Sequence, residues 1–173
     1  KYFENLGYQI DTYIATNNYC DELKIKSIKD NIKPKKFAFI KNFRNKLKSR
    51  NTKFLKVIEL CLNEDINYDL VLITRFDLLF QKKFEESNIK LDKFNLVSIL
   101  ERNNIICDNF YLFPYRYLRK LYELLKDRLM LNYHEIKHLI ESLNGKDFVN
   151  YILNEHTNVP HLTFYKFVKN FVK

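Results

Sequence analysis

Four consecutive aliphatic residues, Leu70-Val71-Leu72-Ile73, followed at once by Thr74-Arg75-Phe76-Asp77, constrain this chain more than any other stretch. A strand with one face in the core alternates apolar and polar residues, whereas an unbroken apolar run is the pattern of a strand covered on both faces. The segment from Tyr68 to Phe80 therefore reads as a central strand of an α/β sheet. In such sheets ligands bind beyond the carboxyl ends of the strands. A cation and a carboxylate two residues apart at that end suit a charged ligand. The same two side chains also fit a plain exit of the strand into solvent.

The neighbouring segments supply the rest of an α/β pattern. Lys1 to Gly7 reads as the end of a helix closed by glycine. Gln9 to Thr16 is rich in strand formers and bounded by Gly7 and Asn17-Asn18, which predicts a strand. A short helix is expected around Asp21 to Ile28, a break at Pro34, and a strand over Phe37 to Ile40. Phe54, Val57, Ile58 and Cys61 then fall at helical spacing between Asn51 and Asn63, an amphipathic helix leading into the opening strand. The order strand, helix, strand, helix, strand follows, and a strand entered straight from a helix suggests another strand ahead of Lys1.

Beyond Phe80, the stretch with Lys82, Lys83, Glu85 and Glu86 reads as exposed. Asn95 to Leu100 and Ile105 to Phe113 are two more strand candidates, joined by so short a polar link that an antiparallel pairing or a change of position in the sheet is expected. Asp108 interrupts the second of them and belongs at a strand end or facing a cavity, because an unpaired buried carboxylate is costly. Pro114 opens a helix with Leu118, Leu121, Tyr122, Leu125 and Leu129 on one face and Arg116, Arg119, Lys120 and Lys126 on the other. Further helices are expected over His134 to Leu143 and Lys146 to Leu153. The tail from Val159 alternates aromatic residues with lysine and is expected to pack along the flank.

Composition narrows the function classes. The 173 residues suffice for one domain with a sizeable core. At 46% hydrophobic and 16% aromatic residues, the chain is not of the disordered class. With only two glycines and three prolines it has no glycine-rich phosphate loop and no flexible linker. The net charge of +9 favours an anionic partner. The excess is mostly lysine spread along the chain, and together with the abundance of Asn, Ile, Phe and Tyr it fits an AT-rich coding bias, so nucleic acid is disfavoured as the partner. Cys20, Cys61 and Cys107 are odd in number and far apart, as expected of three buried thiols in a reducing compartment such as the cytoplasm. No apolar run approaches the ~20 residues of a membrane span.

Two motifs compete with the strand end. His134-Glu135-Ile136-Lys137-His138 matches H-E-x-x-H, in which two His one turn apart bind zinc. On a helix, however, Ile136, Leu139, Ile140 and Leu143 lie within about 50° of one direction, and both His point the other way. A solvated helix face is the expectation. The stretch His161 to Lys169 interleaves cations and aromatics, which could stack nucleobases, although aromatics at this spacing more often pack beneath a lysine-covered surface.

The succession "Ile-Asp-Thr-Tyr-Ile-Ala-Thr", a helix, "Tyr-Asp-Leu-Val-Leu-Ile-Thr-Arg-Phe-Asp-Leu-Leu-Phe", then "Ile-Cys-Asp-Asn-Phe-Tyr-Leu-Phe-Pro" before a helix resembles GT-A-type glycosyltransferases, nearest to those of large DNA viruses and bacterial surface-polysaccharide clusters. The resemblance implies one Rossmann-like domain over residues 1–173, with a mixed, mostly parallel sheet flanked by helices, a helical C-terminal part, and a first strand upstream of Lys1. It implies sugar transfer from a UDP- or GDP-sugar to a glycan or protein acceptor, assisted by Mn²⁺ or Mg²⁺, in the cytoplasm, the host's if the source is viral. Arg75-Phe76-Asp77 is similar to the family's D-x-D element with Arg75 in place of the first acid. Asp77 would be the metal ligand, Arg75 would contact the diphosphate or orient Asp77, Thr16 would be a nucleotide contact and Asp108 the base that takes the acceptor's proton. The alternative is a non-catalytic basic α/β domain that binds nucleic acid or another anion.

Overall fold

The computed structural model describes residues 2–17, 21–41, 43–100, 105–107, 109–133, 136–153 and 164–167. The chain is of the mixed α/β class and divides into two compact units, Lys1–Ile66 with Leu125–Met130, and Asn67–Leu124 with Leu131–Lys173. Among the described residues no helix is long and apolar enough to cross a membrane.

The first unit holds α1 (Tyr2–Asn5), β1 (Tyr13–Asn17), α2 (Glu22–Ile32), β2 (Lys36–Ile40) and α3 (Lys46–Leu62). Gly7, at φ 86°, ends α1 as expected, its N–H donating to the Glu4 carbonyl at 2.9 Å. Asp21 caps α2 by accepting from the Leu23 N–H at 2.9 Å, and Lys33, left-handed at φ 50°, closes it ahead of Pro34. The helix is longer than Asp21 to Ile28 because the turn stops it, not the fading of its apolar pattern. Strands β1 and β2 pair in parallel from Tyr13↔Lys36 to Asn17↔Ile40.

Helix α3 begins five residues before the expected Asn51. Its start is set by Asn45, which accepts from the Lys48 N–H at 3.0 Å, and its first turns are basic and polar. Two of the residues it buries are Ser49 and Asn51, followed by Leu55, Ile58 and Cys61. Asn51 is fully buried because its amide donates to the Leu129 carbonyl at 2.9 Å. At one end of the unit Lys35 pairs with Asp11 at 2.8 Å and Glu64 at 3.3 Å, and Lys36 pairs with Glu64. The Lys36 and Lys35 contacts hold the Glu64 carboxyl below its usual range. Burial, reinforced by the charges of Glu64 and Asp11, pushes the Cys61 thiol up to about 11, so it stays protonated at neutral pH.

The second unit is built on β3 (Leu70–Thr74), β4 (Leu78–Phe80), β5 (Phe94–Leu96), β6 (Ile99–Leu100), β7 (Ile105–Ile106) and β8 (Phe110–Pro114). After them come α4 (Leu118–Leu125), whose last residue counts with the first unit, α5 (Lys137–Asn144), β9 (Val149–Tyr151) and β10 (Tyr165–Phe167). Its main sheet has the order β3-β8-β5-β9. The sheet is mixed, as expected, but β8 runs antiparallel to both β3 and β5, and only β9 runs parallel to its neighbour β5. Antiparallel pairing therefore dominates in this unit, where mostly parallel strands were expected. β6 and β7 form the expected antiparallel pair.

Strand β3 is not central among the described strands. Among the described residues it pairs with β8 alone, and Leu72 is 38% exposed. Strand β8, Phe110 to Pro114, lies between β3 and β5 and is buried end to end, as is the shorter β5. Both runs are unbroken and apolar, so the pattern alone does not say which of them takes the middle. Phe94 of β5 stacks on Phe113 of β8 with ring centroids 4.4 Å apart, at the heart of this core.

One C-terminal expectation changes. The segment from Lys146 is a 3-10 turn, Lys146–Phe148, followed by β9 rather than a helix. Pairing with β5 and a buried amide knot decide it. The Asn95 side-chain amide donates to the carbonyls of Lys90 at 2.7 Å, Lys93 at 3.0 Å and Leu112 at 3.0 Å. Its oxygen accepts from the Lys90 N–H at 2.8 Å and from the Asn150 amide at 2.9 Å. Asn150 also donates to the Asn88 carbonyl at 2.5 Å. The tail residues Tyr165–Phe167 form β10, which pairs antiparallel with β4. Pro114 leads through a 3-10 turn, Tyr115–Tyr117, into α4, with Leu118 and Leu121 buried as expected.

Candidate functional site

Strand β3 ends at Thr74, whose hydroxyl donates to the Asn109 carbonyl at 3.2 Å. Arg75-Phe76-Asp77 then turns the chain into β4. The turn folds the guanidinium back onto the carboxylate as a fork: Arg75 Nε donates to Asp77 Oδ1 at 2.8 Å and Nη2 to Oδ2 at 2.6 Å. Two parallel charge-assisted bonds fix a planar guanidinium more firmly than one contact does. A second restraint comes from far along the chain. Pairing of β10 with β4 sets Phe167 opposite Leu78, and the Arg75 guanidinium carbon lies 5.3 Å from the Phe167 ring centroid, within cation–π range. Arg75 and Asp77 nevertheless stay 49% and 36% exposed.

Electrostatics follow the geometry. The hydrogen bond from Arg75 is the main influence that holds the Asp77 carboxyl below its usual range, and burial opposes it. Asp77 is ionised at neutral pH and committed to Arg75.

Four residues were expected to carry the chemistry, and the structure brings two of them together, Arg75 and Asp77. Thr16 lies in the first unit, half-buried near the end of β1 and opposite Phe39 of β2. Asp108 lies outside the described residues. Its neighbours Cys107 and Asn109 meet Tyr165: the thiol and the phenol oxygen are 2.6 Å apart, and the Asn109 amide donates to the phenol at 3.0 Å. Cys107 is therefore half-buried and hydrogen-bonded, where a plain buried thiol was expected, while Cys61 is buried and Cys20 lies outside the described residues.

Among the described residues, the donors at this strand end do not make up a divalent-cation site. Mn²⁺ and Mg²⁺ take several oxygen ligands. Both oxygens of Asp77 are held by the guanidinium, and among the described residues no three His, Cys, Asp or Glu side chains gather into a metal-binding group. His134 and Glu135 of the H-E-x-x-H motif lie outside the described residues. Helix α5 starts at Lys137, with Ile140 and Leu143 buried and His138 exposed, as a solvated face requires.

No family model matches the chain, and comparison with curated proteins and with solved structures returns no significant match.

The sequence reading missed Phe167 as the partner of Arg75. The available signal was only the enrichment of Phe164-Tyr165-Lys166-Phe167 in strand-favouring aromatics, because the burial of these residues does not follow a period of two. Phe164 and Tyr165 are fully buried and Lys166 and Phe167 are exposed.

Proposed function

We propose that this chain is a GT-A-like glycosyltransferase domain that moves a sugar from a UDP- or GDP-sugar to a glycan or protein acceptor, acting in the cytoplasm. The observation that carries the reading is Arg75, a permanently charged guanidinium restrained by a carboxylate and an aromatic ring yet half-exposed at a strand end. Arginine's planar fork matches phosphate oxygens, and a restrained fork loses little freedom when it binds them. As the bond between sugar and diphosphate breaks, negative charge grows on the leaving nucleoside diphosphate, and a guanidinium already in place stabilises it without reorganising. Asp77 acts by holding Arg75. The divalent cation implied by the resemblance is not carried into this reading, because the described donor set does not fit it.

An acceptor hydroxyl must lose its proton during attack. Asp108 keeps the role of base on the resemblance alone, and Thr16 that of a nucleotide contact; Asp108→Asn and Thr16→Ala test each separately. The test of the whole reading is calorimetry with UDP- and GDP-sugars. Saturable binding is expected, weakened at least tenfold by Arg75→Ala. Indifference to every nucleotide, with tight and steeply salt-dependent binding of a single-stranded oligonucleotide, would replace it with the basic anion-binding alternative.

A further inference from the structure

We infer that the exit of β3 binds its diphosphate directly through the Arg75 guanidinium, with no divalent cation between protein and ligand; this rests on the nucleotide-sugar reading above. Three observations converge on Arg75. Each oxygen of Asp77 already accepts one bond of the fork, at 2.8 and 2.6 Å, so a cation could take only the remaining lone pairs, close beside the guanidinium. A divalent charge would then sit beside an arginine that never deprotonates, two like charges within the length of one ion pair. The described residues supply no cluster of further oxygen, nitrogen or sulfur ligands to offset that cost.

The same geometry suits an anion. Phe167 lies against the guanidinium, which leaves recognition to the N–H groups along the guanidinium edge. Asp77 and a diphosphate then compete for one kind of partner. The carboxylate keeps the fork oriented before the ligand arrives, and its negative charge weakens the ligand's hold. Asp77 is thus a positioning residue whose charge opposes binding, the reverse of what a metal ligand would be.

That reversal gives the test. UDP and GDP are titrated into the wild-type chain by calorimetry, once with EDTA and once with Mn²⁺. Arg75→Ala, Arg75→Lys and Asp77→Asn follow, with thermal melts confirming that each is folded. Affinity within about threefold in the two buffers is expected, together with at least a tenfold loss in Arg75→Ala, a partial loss in Arg75→Lys, and equal or tighter binding in Asp77→Asn. Binding that vanishes in EDTA, returns with Mn²⁺ and is lost in Asp77→Asn would overturn the inference and leave the glycosyltransferase reading standing. No binding of UDP, GDP or their sugars in either buffer would overturn both.

Discussion

The two edges of the main sheet hold polar groups in opposite ways. Where the β9 edge meets β5, Asn95 of β5 is fully buried and Asn150 of β9 nearly so. Asn95 there shares the two hydrogens of its amide among three carbonyls while its oxygen accepts two bonds. At the β3 edge, Arg75 and Asp77 make one strong fork and remain open to water. A buried amide that loses its partners leaves several backbone groups unsatisfied, so the knot is part of the fold. An exposed ion pair contributes little stability, so its stringent geometry is better explained by a ligand than by folding. Exposure separates the two, more than polarity or bond count.

The largest effect expected is for Asn95→Leu. It takes a partner from the Lys90 N–H and from the carbonyls of Lys90, Lys93 and Leu112, of which the Lys90 carbonyl still accepts from the Lys93 N–H at 3.1 Å, and should cost about 3 kcal/mol in urea unfolding. A cost under about 1 kcal/mol would mean that the knot is peripheral. Asn150→Ala removes one donor from the same knot and should cost about 2 kcal/mol by the same measurement. For Tyr165→Phe, which deletes the phenol met by Cys107 and Asn109, about 1 kcal/mol is expected. Arg75→Ala should change stability by less than about 1 kcal/mol while it removes nucleotide binding. If it unfolded the protein, the division between the two edges would collapse.

The smallest effect is a pH dependence. Arg75 depresses the Asp77 pKa in the folded state, so the stabilisation is whole above the ordinary carboxyl value of 3.8 and fades as pH falls below it through the folded value. The small stability difference between wild type and Asp77→Asn should therefore be present at about pH 6 and disappear in strong acid, a trend that thermal melts at several pH values would follow.

Local patterns made part of this legible. Gly7, Pro34 and the apolar spacing around Ile58 are signals a few residues long, and the order from β1 to β3 follows from them. Pairing is not local. Nothing in Leu70 to Ile73 says that β8 takes the middle of the sheet. Asn95 opens an expected strand and Asn150 falls inside an expected helix, and neither position reveals the knot, whose carbonyls are distant in sequence. The helix expected after Lys146 failed for the same reason, since partnership with β5 outweighs the spacing of Phe148, Val149 and Ile152. At the site, Arg75 and Asp77 stood out as polar residues closing an apolar strand. That they grip each other, and that Phe167 lies against the guanidinium, depends on a turn and on a strand pairing the sequence does not announce.

Strand β3 also bears on the protein's behaviour in concentrated solution. Leu70 to Ile73 carry no lysine, no proline and no inward charge, the devices by which exposed strand edges are usually blunted. Among the described residues β3 pairs on one side only, and an unpaired aliphatic edge is a template on which another extended chain can add by backbone pairing alone. Self-association should therefore begin at β3, and Leu72→Lys, which sets a hydrated charge at its exposed midpoint, is the substitution expected to keep the protein dispersed.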